Sequence, residues 1–213
     1  MKIFTPLPGE YIASALKRGN ELLGIASLAT EDFYIKPVPR AGYGISRSPL
    51  PVKAEERKHA VFNFPKFLTE NNIAEDVLTN HTLYPINAAL GRSRAYSNVT
   101  PKIWARICPE CAVEDLETYG STYIHNRHVQ AYVKVCNIHG SKLLEACAHC
   151  SIPISRHAVA RLGHCNQKYK ISKISRRQLN SPPHLYASFI AELLNYRGPM
   201  VNRYLADFIA HVS

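Results

Sequence analysis

The sequence predicts a mainly α-helical protein into which a small, cysteine-stapled segment with short β elements is set. Three observations carry this. Apolar residues recur at helical spacing near both ends of the 213-residue chain. All six cysteines fall between residues 101 and 170, five of them between 108 and 150, together with six of the ten histidines. Prolines and glycines break the remainder into short pieces.

Taken in order, the stretch EYIASALKRGNELLGIASLA follows Pro8 and Gly9 and sets Ile12 four residues from Leu16, and Tyr11 four from Ala15, on one helix face. Gly19 and Gly24 predict two short helices joined by a turn. Residues 35–53, IKPVPRAGYGISRSPLPVK, read as a loop or extended arm. KHAVFNFPKFL is compact and aromatic-rich, and NNIAEDVLTNHTLYP predicts a helix started by Asn72 with Glu75 three residues on, then ended or redirected at Pro85. Residues 1–100 thus form an N-terminal helical region with room for a helix-turn-helix, and 101–170 the cysteine and histidine domain. Residues 171–213 are a basic linker and a helical pair, entered at Ser181-Pro182-Pro183. The first helix of the pair is expected over about 184–196, stopped near Gly198. The second carries Val201, Tyr204, Leu205, Phe208, Ile209 and Val212 on one apolar stripe, suited to core packing or to assembly, including a homo-oligomer. No internal repeat is evident from the residues.

Twenty-six Lys and Arg against sixteen Asp and Glu leave a formal charge of +10, which favours a polyanionic partner such as nucleic acid. The stretch Lys168, Lys170, Lys173, Arg176 and Arg177 is the candidate for phosphate contact. No run approaches the roughly 18 apolar residues of a membrane span, and MKIFTPLPGEY lacks the apolar core of a secretion signal. A cytoplasmic, nucleoid-associated protein is expected. In that reducing setting, clustered cysteines serve as metal ligands more often than as disulfides.

Cys108-x2-Cys111 and, after twenty-four residues, Cys136-x2-His139 offer three thiolates and an imidazole, the donor set of a closed tetrahedral zinc site. Pro109 and Gly140 suit the tight turns such pairs need. Buried free thiols fit this spacing poorly, and a redox C-x-x-C lacks the strand and helix setting of a thioredoxin-like motif. A second set begins at Cys147-x2-Cys150 and reaches Cys165, but Lys168 stands where a further cysteine would complete it. Its fourth position falls to a histidine, a water or nothing; His164 is preferred and His157 is the alternative. Two zinc ions are therefore expected, the second held less firmly, and the β elements of this double-knuckle domain are expected to be small zinc ribbons. An open position would suit catalytic zinc, yet there is no H-E-x-x-H, paired-carboxylate motif, nucleophile elbow or phosphate loop, so the chain is expected not to be an enzyme. Between the pairs, YGSTYIHNRHVQ reads as a strand with a packed aromatic face and solvated basic residues, and less well as a recognition surface through Tyr123, His125, Arg127 and His128. His125 and His128 are near enough to serve as substitute ligands.

The order CPEC, a Tyr-Gly turn, YIHNRHVQ and then VCNIHGSKLLEACAHC resembles the TniQ/TnsD family of transposon target-selection proteins. PLPGEYIASALKR is similar to that family's opening, and HTLYP to a segment ahead of its zinc domain. The resemblance covers residues 1 to about 170. It implies a double zinc-binding domain and a non-enzymatic adaptor that binds target DNA, or docks on an RNA-guided CRISPR effector complex, and recruits an AAA+ ATPase regulator and the transposase. Lys168 departs from the family pattern at the second site, and the short region after it departs from members that read DNA through a long C-terminal extension. A zinc-containing DNA-binding transcriptional regulator is the competing reading.

Overall fold

The computed structural model describes residues 5–24, 35–37, 62–64, 66–90, 99–101, 103–162, 178–198 and 201. Helix α1 spans Ile12–Leu22 and buries the face formed by Ile12, Ala15, Leu16 and Gly19. It runs through Gly19 as one helix, where two were expected. Gly19 is itself buried, and the packing that covers it offsets the roughly 1 kcal/mol a helical glycine costs. The turn comes at Gly24, and the expected second helix lies outside the described residues. A two-residue antiparallel pair follows, β1 (Lys36–Pro37) on β2 (Phe62–Asn63). It places the start of the expected arm in a strand.

Three short helices come next: α2 (Lys66–Glu70), α3 (Ala74–Asn80) and α4 (Tyr84–Ala89). Asn72 does not cap α3. It adopts a left-handed conformation at φ 55°, and the helix begins two residues later with Glu75 and Asp76 in its first turn, where carboxylates favour the positive end of the helix dipole. Pro85 does not end α3, which stops at Asn80; it sits in the first turn of α4, where its missing N–H has no partner to lose. The hydroxyl of Thr82 accepts from the Tyr84 amide at this junction.

Helix α5 (Pro109–Tyr119) was not anticipated. Cys108 is its N-cap residue, Pro109 opens it, and Gly120 closes it at φ 66°. The strand expected over YGSTYIHNRHVQ does not form. Its backbone is instead paired to the N-terminal turn: Glu10 bridges His125, the Tyr11 amide donates to the Ile124 carbonyl at 2.8 Å, and the Asn126 amide to the Gly9 carbonyl at 2.8 Å. A 3-10 turn then follows at Asn126–His128. Helix α6 (Pro182–Leu194) starts earlier than expected because Ser181 caps it, its hydroxyl accepting from the His184 amide, with Pro182 in the first turn. Most of the predicted final helix lies outside the described residues.

One apolar cluster joins these pieces. Tyr11 and Leu16 of the N-terminal segment, Val77 and Ile86 of α3 and α4, Ile107, Ile124 and Val133 of the cysteine segment, and Ile190 of α6 all belong to it. Among the described residues no helix is long and apolar enough to cross a membrane.

Buried Arg106 organises the chain leading to the second ligand pair. Its guanidinium donates to the carbonyls of Val129, Gln130, Ala131 and Val133 at 2.9, 2.9, 3.2 and 2.7 Å. A fork of fixed donors fits four carbonyls of one winding segment, which apolar packing could not hold in that form. Arg106→Met is expected to lower stability by roughly 3 kcal/mol, since hydrogen bonds to charged groups contribute most and the carbonyls would be left unpaired. Urea denaturation checks this.

Candidate metal centre

Cys108, Cys111, Cys136 and His139 come together from two elements, with their ligand atoms all within 4.8 Å of one another. The first two lie at the start of α5, whose positive end favours thiolates. The other two come from a tight turn. The Cys136 amide donates to the Ser141 carbonyl, and the Gly140 amide to the Cys136 carbonyl, each at 2.8 Å. Gly140 closes this turn at φ 66°, and a Cβ there would lie 2.9 Å from Leu179 Cδ2 and 3.1 Å from its amide nitrogen. Any other residue would push away the segment entering α6, whose Gln178 amide bonds the Gly140 carbonyl.

The spacing of the four donors can be compared with that around an ion. Metal–sulfur and metal–nitrogen distances of about 2.3 and 2.0 Å in a tetrahedral zinc site require S···S edges of about 3.8 Å and S···N edges of about 3.5 Å. Cys111 and Cys136 sulfurs are 3.6 Å apart, and His139 Nδ1 lies 3.5, 3.4 and 3.7 Å from the sulfurs of Cys108, Cys111 and Cys136. The residues fit a tetrahedrally bound ion. Without a cation, three such sulfurs cannot all ionise. Hydrogen bonding to Cys111 and Cys136, with burial, drives the Cys108 thiol far up, and hydrogen bonds from Cys108 and Cys111 drive Cys136 far down. Cys111 is lowered by Cys108 but raised further by Cys136 and burial, to about 12. A divalent ion would remove this conflict by stabilising all three thiolates at once.

His139 presents Nδ1 to the sulfurs because Nε2 is engaged by the Glu114 carboxylate at 2.9 Å. Burial lowers the imidazole's proton affinity, but hydrogen bonds to Glu114 and Cys136 raise it further, making it the better donor. Glu114 was not identified from the sequence. It lies three residues after Cys111 on a helix, and without α5 its relation to His139 had no signal. Such carboxylates usually contribute 10- to 100-fold to metal affinity. Glu114→Ala is expected to lose that much in a chelator competition while leaving the metal-saturated fold intact, its side chain being mostly exposed.

His125 and His128 are not among these ligands. His125 Nε2 is bound to the buried Asp115 carboxylate at 2.9 Å, and burial holds His128 neutral with a pKa near 4. Tyr123 donates to the Pro8 carbonyl. Arg127 approaches Cys111 Sγ at 3.5 Å. The aromatic and basic residues of this stretch therefore support the centre and the N-terminal turn.

The second set repeats the backbone of the Cys136 turn eleven residues on. The Cys147 amide donates to Ile152 O at 2.8 Å and the Ser151 amide to Cys147 O at 3.0 Å; Ser151 takes the left-handed position of Gly140, at φ 58°. The flanking bridges correspond too, Val135 with Lys142 and Ala146 with Pro153. The turns share the C-x2-ligand spacing of Cys136–His139 and Cys147–Cys150, while the residues around it differ. This second turn brings Cys147 and Cys150 to His157, with ligand atoms within 4.8 Å. His157 Nδ1 lies 2.8 Å from the Ala158 carbonyl. Cys165, the preferred His164, and Lys168, Lys170, Lys173, Arg176 and Arg177 lie outside the described residues. The loop after this turn is tied to α1: Glu21 accepts from the Val159 and Ala160 amides at 3.0 Å each, and Lys17 donates to the Ser155 carbonyl at 2.7 Å.

The TniQ family profile matches residues 3–143, a span that contains the N-terminal turn, α1 and all four ligands of the first centre. The chain belongs to the TniQ family. No match to a curated protein was found. For a TniQ-family chain the setting is transposition, and its two Cys/His clusters could each hold a metal ion, with donor sets suited to zinc. The second cluster lies past the matched span.

Proposed function

We propose that this TniQ-family chain is a target-selection adaptor for transposition, which engages target DNA or an RNA-guided effector complex and recruits the element's AAA+ ATPase regulator and transposase. The observation that carries this reading is the family match over residues 3–143, a span that includes four protein donors spaced to close a tetrahedral metal site. A closed centre leaves no site for a metal-bound water, so its role is to hold shape and not to perform chemistry. The ions are zinc, one bound by Cys108, Cys111, Cys136 and His139, the other by Cys147, Cys150, a histidine and Cys165. His157 is the histidine favoured by its place beside Cys147 and Cys150. The test is co-purification and reconstitution with the regulator and transposase subunits of the same element. Stable capture of either one, lost in a chain with an unfolded metal centre, supports the adaptor. Binding to DNA but to neither protein would favour a transcriptional regulator.

Direct DNA contact would run through phosphates, with Lys168, Lys170, Lys173, Arg176 and Arg177 as the basic stretch. Each neutralised phosphate contributes about 0.9 to the slope of log affinity against log salt on duplex DNA. Alanine at all five is expected to flatten that slope without altering sequence preference. A slope unchanged in the variant would remove this stretch from the interface.

A further inference from the structure

Arg127 sits half-buried on the 3-10 turn Asn126–His128, which is fastened from the N-terminal side. The Asn126 amide donates to the Gly9 carbonyl at 2.8 Å, and the Asn126 side chain to the Asn80 carbonyl at 2.9 Å. From this turn Arg127 Nη2 reaches to 3.5 Å from Cys111 Sγ, while its Nε is buried with no hydrogen-bond partner. Carboxylates of the surrounding elements are committed elsewhere: Asp115 to His125 at 2.9 Å, Glu114 to His139 at 2.9 Å and Glu10 to Arg18 at 2.8 Å. Among the described residues, the Cys111 sulfur is thus the one hydrogen-bond partner of this guanidinium. A thiol sulfur is a weak acceptor. A thiolate is an anion, and hydrogen bonds between ionised groups are about twice as strong as neutral ones. The placement of Arg127 therefore suits Cys111 in the ionised form that a bound metal requires.

The charge count points the same way. Three thiolates and a neutral imidazole around a divalent ion leave one net negative charge, and Cys108, Cys111 and Cys136 are all buried. Buried charge is costly unless it is paired. Glu114 adds a carboxylate beside His139, but that side chain is mostly exposed and water screens it. One guanidinium cancels the remaining charge. We infer that Arg127 is the counter-ion of the first metal centre, a positioning residue whose N–H···S contact lowers the nucleophilicity of the Cys111 thiolate and protects the centre from electrophiles and oxidants. Hydrogen bonds and cations at a thiolate control its reactivity in this way, because they hold the electron pair that would attack. The inference rests on the zinc reading of this centre and not on recruitment of transposition proteins. It also gives the docking of the N-terminal turn a consequence for the metal, since that turn holds the segment carrying Arg127.

The experiment is alkylation of the zinc-loaded full chain with iodoacetamide, the rate at each cysteine being read by peptide mass spectrometry after zinc content has been measured. Arg127→Met keeps most of the side chain's bulk, so access to the sulfur changes little, and removes its charge. Cys111 is expected to react about tenfold faster or more in this variant than in the wild type, the scale on which outer-shell partners act. Arg127→Lys restores a cation and should bring the rate most of the way back. Cys150, exposed in the second cluster, is the internal reference and should react at one rate in all three proteins. Near-ultraviolet circular dichroism confirms each fold, and Arg127→Gln serves as the neutral variant if Arg127→Met does not fold. Equal rates at Cys111 in the wild type and the neutral variant would overturn the inference, as would Arg127→Lys reacting as fast as the neutral variant. A matching acceleration at Cys150 would also overturn it, by marking a general loosening of the chain. Wild-type protein without zinc would remove the metal reading itself, and the inference with it.

Discussion

Cys108→Ser is expected to unfold the middle of the chain, and not simply to reduce activity. A serine hydroxyl is a poor replacement for a thiolate, and structural zinc supplies on the order of 10 kcal/mol of folding free energy in small sites. That is comparable to the roughly 5–15 kcal/mol by which whole domains are stable. The position makes the loss worse. Cys108 is fully buried at the start of α5, next to Ile107, which bridges Leu144, so an ion held there would join the helix to the Cys136 turn on which the entry to α6 rests. The expected result is a chain with at least one ion fewer, loss of near-ultraviolet circular dichroism, and no cooperative melting transition. Cys150→Ser, at an exposed position in the second cluster, should lower metal content with a much smaller loss of stability. Wild-type melting in Cys108→Ser after confirmed loss of its metal would show that the centre is not structural.

Glu10→Ala is expected to cost about 3–5 kcal/mol, the usual effect of stranding one member of a buried ion pair. For a chain of this size that corresponds to a fall in melting temperature of roughly 10 °C. Glu10 is completely buried. Its carboxylate accepts from Arg18 Nε at 3.0 Å and Nη2 at 2.8 Å, from the Leu7 amide at 2.9 Å and from the Ser14 hydroxyl at 3.1 Å. All four would lose their acceptor, and Arg18 would remain buried with its charge uncompensated. The double variant Glu10→Leu with Arg18→Met should be more stable than Glu10→Ala, because it removes both charges together. Thermal melting of the three proteins decides it. A double variant worse than the single one would mean that the pair contributes more than its own desolvation costs.

Glu10 also shows where the sequence reading stopped. PLPGEYIASALKR could be read as a turn and a helix from its spacing, but nothing in it told that Glu10 faces Arg18 or that its backbone joins His125. The same holds for Arg106, an arginine with no motif around it, whose four carbonyl partners lie more than twenty residues away. YGSTYIHNRHVQ was misread as a strand because near-alternation of residue types is only a local pattern. Its hydrogen-bond partners came from the N-terminal turn, and they decided its form. Asn72 and Pro85 have the residue types of a cap and a breaker, and the structure uses one as a left-handed turn and the other as a helix start.

By itself the sequence determined the ligands that could meet at the first centre. A C-x2-C or C-x2-H pair brings two donors to one ion through a few covalent bonds, so its spacing remains informative whatever the rest of the chain does. It also determined which stretches have a helix-forming apolar face, since that periodicity is likewise a property of neighbouring residues. Only the tertiary structure decided that Glu114 orients His139, that the second turn copies the backbone of the first, and that His157 joins Cys147 and Cys150. These depend on which surfaces pack together, and packing is set by the summed burial of the whole apolar cluster, which no local pattern encodes.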